Sequence, residues 1–201
     1  MSVKHLVFVS LLLLSVAASA QAGQQFWQAA CNGDMLGVQN GLLRHVPVDY
    51  EGPGGFTGLL CAARNGHLVI VKYLVANGAD VNRRDNSRDK TPLLAASFKG
   101  HLDIVQYLLT QHAQINIQAI NGWTALHDAA YIGNLPIVRT LVSAGASLTL
   151  KNELDEKPVD TAFRAYSTCR NRKTSCPTAR GDSSAGLAAY KATYVYLRGL
   201  Q

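Results

Sequence analysis

Charge is scarce in this sequence, at 16% of residues, and the groupings that catalysis needs are scarcer. None of the four cysteines is spaced as Cys-x-x-Cys, which argues against a thiol-redox motif. The Gly52-Pro53-Gly54-Gly55 run lacks the Lys and Ser/Thr that a phosphate loop uses to reach its ligand. No nucleophile stands beside a base, no carboxylate pair stands apart, and no His or Cys cluster has metal-ligand spacing, so an enzyme, a cofactor and a metal are all unexpected. The acidic run Glu153, Asp155, Glu156 and Asp160 reads as a solvated face. Beyond the first twenty residues no apolar run approaches the ~20 residues of a membrane-spanning helix, which argues against a transmembrane segment there.

Residues 1–20 are different in kind. Lys4 and His5 form a short polar start, Leu6 to Leu14 is almost wholly apolar, and Ala18-Ser19-Ala20 offers small residues for cleavage. This is the pattern of a secretory signal peptide, and it predicts a protein of the periplasm, or one secreted further. The formal charge of +6 divides unevenly along the rest. From Gln21 to Asp160, 11 Lys and Arg face 12 Asp and Glu; from Thr161 to Gln201, 7 face 1. The basic balance therefore belongs to the tail. In an exported chain it argues for an acidic protein, an anionic lipid or glycan, or solvent, rather than nucleic acid.

What the sequence does contain is a repeat. Thr57, Thr91 and Thr124 are each followed nine residues later by Gly66, Gly100 and Gly133, with steps of 34 and 33 residues between copies. The unit reads Thr-Pro-Leu-His-x-Ala-Ala, then Gly-His, Ile-Val and Leu-Leu, then Gly-Ala-Asp and Val-Asn. In its order, spacing and period it resembles the ankyrin repeat. The resemblance implies an all-α solenoid of about five helix-turn-helix units with short β-hairpin turns between them. The units fall at about 23–50, 51–84, 85–118, 119–151 and 152–201, the last carrying an inserted loop at 167–182 and a C-terminal capping helix. Within that helix Leu187, Tyr190, Tyr194 and Leu197 are spaced as one apolar stripe. Each Thr is expected to cap a first helix, and Ala62, Ala96 and Ala129 to let neighbouring helices lie close.

In ankyrin proteins the inter-repeat tips and the exposed side of the first helices form a concave, partner-binding face. Carried over onto this sequence, that face holds Arg64, Phe98 and Tyr131 in one row, Lys99 and Ile132 in the next, and Asp128 in a third. The tips add Phe56, Lys90 and Trp123. The aromatic and Arg content is that of interface hot spots. His67, His101 and His127 occupy family positions that hydrogen-bond between repeats.

The cysteines divide into two pairs. Cys169 and Cys176 enclose Arg170, Arg172 and Lys173, and are expected to form a disulfide worth about 2.5 kcal/mol in loop entropy. Cys31 aligns with Arg64 rather than with Cys61, an offset of nearly a helical turn, and both are expected to be free thiols. The ring of Arg170, Arg172 and Lys173 is either a clamp for an acidic group or a solvated insertion.

The expected function is a non-catalytic, exported module that binds a protein partner through its concave face. By analogy with small exported bacterial ankyrin proteins, it is an immunity protein that neutralises an envelope-targeted toxin. The alternative is an envelope protein holding an anionic lipid or glycan through its basic C-terminal loop.

Overall fold

A computed structural model describes residues 3–171 and 183–201, with side chains from residue 18 onward and, in the last helix, from Gly186. Helix α1 spans Val3–Asn32, and α2 Met35–Leu43. Then come α3 Gly58–Asn65, α4 Leu68–Ala76, α5 Pro92–Lys99, α6 Leu102–Thr110, α7 Ala125–Tyr131 and α8 Leu135–Ser143. The series ends with α9 Pro158–Asn171 and α10 Ser183–Arg198. The first helices α1, α3, α5, α7 and α9 pack side by side in chain order, and each second helix packs on its own first helix.

The same local chemistry starts each unit. Thr57, Thr91 and Thr124 are N-caps whose hydroxyls accept from the backbone N–H of Leu60, Leu94 and His127. Thr124 and His127 complete a capping box: the Thr124 N–H donates to His127 Nδ1. That leaves His127 Nε2 to donate to the Glu156 carbonyl of the next unit, 3.0 Å away. His67 and His101 make the same kind of bond in the other direction, to the Cys31 and Arg64 carbonyls of the preceding unit. Asp49, Asn82 and Asn116 form a second ladder, accepting from the backbone N–H of Asp80, Gln114 and Ser147 one unit on.

Small residues set the spacing between layers. Ala62, Ala96 and Ala129 are fully buried, as are the Ile-Val pairs at 104–105 and 137–138. A methyl group on Gly58 would stand 3.1 Å from that of Ala30, so α1 and α3 meet almost backbone to backbone. The end cap substitutes for a missing unit: the Tyr190 ring covers Gly133 as His67 covers Gly33 and His101 covers Gly66. In the expected stripe, Tyr190 and Leu197 are buried, and Leu187 and Tyr194 are half-buried.

Four expectations need correction or qualification. The inter-unit tips are hairpin-shaped but not β-structured: among the described residues there is one isolated antiparallel bridge, Glu51 to Thr57. Each tip is closed by a backbone bond, from Gly52 to Phe56, Asp85 to Lys90, Ala119 to Trp123 and Asn152 to Glu156. Neighbouring tips are then joined by bonds from Asn86 to Gly54, Ile120 to Arg88 and Glu153 to Asn121. Second, α9 continues past Ser167 to Asn171, because Cys169 is buried with Ala165 and Tyr190 and holds that turn against the cap. Cys169 is disulfide-bonded, while Cys176 lies outside the described residues. Third, α1 is unbroken across the expected cleavage point at Ala20; among the residues whose side chains are described, 18–21 are exposed and burial begins with Ala22 and Gly23, which packs against Tyr50.

The fourth correction concerns Cys31 and Cys61, which are not free thiols but a disulfide, with Cα atoms 4.9 Å apart. Translated copies of a helix meet through opposite sides, so the residues in contact are not equivalents but partners displaced along the axis. A displacement of three residues is only about 4.5 Å of rise. The bond staples the first two units across a 30-residue separation. Replacing both cysteines by Ala should lower the unfolding free energy by about 2–4 kcal/mol in urea titration. Peptide mapping without reductant should recover a Cys31–Cys61 linked pair.

Candidate functional site

The first helices and the tips enclose a continuous concave groove. It has two basins, one of about 510 Å³ around Trp123 and Tyr131, the other of about 300 Å³ around Phe56 and Arg64. Arg88, Lys90 and Phe98 border both.

The groove is built from a pair in each of the second to fifth units, one residue at the tip and one eight positions later. The later residue lies near the end of the first helix in the second to fourth units and in the middle of α9 in the fifth. In the second unit the Arg64 guanidinium lies 5.9 Å from the Phe56 ring centre. In the third the Lys90 ammonium lies 4.7 Å from that of Phe98. In the fourth Trp123 meets Tyr131 edge to face at 5.3 Å. In the fifth Glu156 accepts from Arg164 Nε at 2.7 Å and Nη2 at 3.1 Å. These are four rungs of one ladder. Stacked units repeat at roughly 8–10 Å, so the rungs are spaced for an elongated occupant.

Seven of the sequence-derived residues, Phe56, Arg64, Lys90, Phe98, Trp123, Asp128 and Tyr131, line this groove. Lys99 sits at its margin, with its ammonium 5.7 Å from the Phe98 ring centre. Ile132, half-buried, lines neither basin. Arg170 is exposed near the end of α9, and Arg172 and Lys173 lie outside the described residues. Arg88, Ile120, Asn121, Leu154 and Arg164 also line the groove and were not singled out from the sequence. The signal was available: Arg164 continues the row of Arg64, Phe98 and Tyr131 by one more step of 33, and Arg88, Asn121 and Leu154 are equivalents at 33-residue steps. Ile120 and Leu154 are 64% and 65% exposed, two aliphatic side chains standing in solvent at the rim of the larger basin.

Asp128 departs from its row, whose other members are Cys61, Ala95 and Thr161. It is 2% exposed, and its Oδ2 has no hydrogen-bond partner. Lys90 Nζ approaches to 3.6 Å, close enough for an ion pair but too far for a hydrogen bond. Loss of hydration therefore outweighs the lysine, and the carboxyl is pushed up to about 7. His127, by contrast, is held below its ordinary value by burial and stays neutral. Among the described residues no group of His, Cys, Asp and Glu is arranged to hold a metal ion, and no helix is long and apolar enough to cross a membrane.

The comparisons agree with this architecture. The ankyrin-repeat family model, three copies long, matches residues 26–119 and 85–152, more than half of the chain. This chain belongs to the ankyrin-repeat family. It is 34% identical over 157 residues to the mouse B-cell lymphoma 3 protein homolog, covering 74% of this chain and 35% of that protein. It is 45% identical over 106 residues to the bovine ankyrin repeat and SOCS box protein 3, covering 52% and 20%. With the mouse protein phosphatase 1 regulatory subunit 27 it shares 40% over 117 residues, covering 58% and 54%. The chain thus spans between a fifth and about half of these relatives. Ankyrin repeats generally mediate protein–protein interaction and are typically non-catalytic.

The Asp128 carboxyl gives a prediction whose sign is fixed. Its folded value lies above the ordinary 3.8, so between the two the folded protein holds a proton that the unfolded chain has released. Stability is then highest in acid and falls as pH rises through about 7. Asp128→Asn should stabilise the protein at pH 8 by roughly 1–3 kcal/mol, with the gain fading as the pH approaches 4. Urea titrations at the two ends of that range measure it. An equal effect at both would show that Asp128 is not ionised by burial-opposed titration.

Proposed function

We propose that this protein is an exported, non-catalytic binding module that holds a protein partner in the concave groove and acts by occupancy. The finer form of the reading is an immunity protein, occupying the working surface of a toxin directed at the cell envelope. One observation carries the binding site: the four-rung groove, with aromatic rings on three consecutive rungs and exposed Ile120 and Leu154 at its rim. The Trp, Tyr and Arg side chains on the concave floor match the composition of interface hot spots, and exposed aliphatics at its rim add the apolar patch that marks an interaction site. Two features support export. The apolar run from Leu6 to Leu14 precedes small residues at 18–20. The buried Cys31–Cys61 bond persists best in an oxidising compartment.

Sequencing the N-terminus of the protein recovered from the periplasm should return Gln21 as the first residue; an intact Met1 would refute export by cleavage. Affinity capture from an envelope extract at low and high salt tests the binding reading. A partner held by wild type at high salt should be lost when Phe98, Trp123 and Tyr131 are replaced together by Ala, with affinity falling at least about a hundredfold. If capture is unchanged by the triple replacement, the groove is not the site. If only anionic lipid or glycan is retained, and salt releases it, the basic tail around Arg170 is the binding element instead.

A further inference from the structure

The groove is more basic than the repeats that build it. Residues 21–160 carry a small excess of acid, yet Arg64, Arg88 and Lys90 converge between its two basins, and Arg88 is exposed. The acids nearby are largely engaged. Asp85 accepts from the backbone N–H groups of Ser87 and Arg88 and from the Ser87 hydroxyl, and Glu156 is taken by Arg164. Two buried carboxylates in the groove nonetheless keep one oxygen without a donor, Asp85 Oδ2 beside the smaller basin and Asp128 Oδ2 on the floor of the larger one. Beyond Asp128 the larger basin turns apolar, between Ile120, Trp123, Tyr131 and Leu154.

Resting on the groove-binding reading, we propose that the occupant is an extended protein segment, acidic at one end and apolar at the other. Its carboxylates meet Arg64, Arg88 and Lys90, its apolar side chain fills the larger basin, and an N–H or O–H donor of the segment reaches Asp128 Oδ2. The cation that Asp128 would otherwise attract is already supplied by the chain's own Lys90, which also lies over Phe98. A basic partner would therefore meet Arg64 and Arg88, which no carboxylate pairs among the described residues. A sulfate group would satisfy the cations but offer Asp128 no donor, and a phosphate would leave the apolar basin empty, whereas a polypeptide carries donors along its whole backbone and apolar side chains as well. From the Arg64 rung to the Trp123–Tyr131 rung is two unit spacings, roughly 16–20 Å, which about six residues of extended chain cover.

The test uses the full chain, with its disulfides intact, against a random twelve-residue peptide library displayed on phage, followed by fluorescence anisotropy with the selected peptides made synthetically. The expected result is enrichment of Asp and Glu a few residues from a large apolar or aromatic side chain. Arg88→Glu should weaken those peptides about tenfold or more, while Lys191→Glu, the same charge change on the exposed side of α10, should not. Inositol hexakisphosphate should compete poorly, because it supplies anions without the apolar side chain. Selected peptides that are basic or uncharged, yet lost in the Phe98, Trp123 and Tyr131 triple variant, would overturn the acidic occupant while leaving the groove as the binding site. Peptides that bind the triple variant as well as wild type would sink both. A library that yields no binder, or displacement by the polyphosphate alone, would also overturn a polypeptide segment as the occupant.

Discussion

The close approach of successive first helices is the constraint on which everything else in this molecule depends. It requires almost nothing between the backbones, and the chain provides almost nothing: Ala30 against Gly58, then Ala62, Ala96 and Ala129 at equivalent places. A side chain as large as Val at one of these would push two units apart and strain the ladders that cross between them. Those ladders, His67 to Cys31, His101 to Arg64 and His127 to Glu156, are single hydrogen bonds with fixed reach. They form only if the layer spacing is right. Close packing thus comes first, and the polar bonds follow from it.

The same spacing accounts for the groove. From the second unit onward, each turns its tip back over its own first helix, bringing a residue and its neighbour eight positions later into contact. Stacking then places these pairs in a row. Because tip-to-tip bonds such as Ile120 to Arg88 tie neighbouring loops together, the rungs are held by backbone rather than by side-chain preference. The side chains at the rungs are therefore free to differ, and they do: Phe56 with Arg64, Lys90 with Phe98, Trp123 with Tyr131, Glu156 with Arg164.

Much of this was legible in the sequence. The period fixed the equivalences, the Thr caps and glycines fixed the helix starts and ends, and the row of Arg64, Phe98 and Tyr131 pointed at the groove. What escaped has two physical causes. Cys31 and Cys61 are not equivalents in the repeat, and that offset argued against a bond; but helices related by translation touch through opposite sides, so alignment by repeat position misjudges which residues meet. Arg164 and Glu156 were missed because the fifth unit departs from the pattern at Tyr166, where the earlier copies carry glycine. Its early part still keeps register, and the rung forms before the departure begins. Asp128 was placed on the face, but nothing in a sequence reveals that one of its oxygens is left without a donor.

A buried oxygen without a donor is not by itself the mark of a site, since Ser97 Oγ and Thr193 Oγ1 also lack one; the charge that Asp128 brings to its row is what sets it apart. Comparing the chain's own copies separates the two roles: positions that build the stack keep one chemistry from unit to unit, and positions that line the groove change. The row of Cys61, Ala95, Asp128 and Thr161 is otherwise small and buried, a scaffold row by that measure. A carboxylate there loses hydration and recovers only a lysine at 3.6 Å, so it works against folding at neutral pH. Thr or Ala, used by its neighbours, would avoid that cost. A local conflict that a smaller residue would remove is expected where a binding site draws on stability supplied elsewhere. Here the surplus comes from the repeated caps, the inter-unit ladders and the Cys31–Cys61 staple, and the groove floor is where it is used.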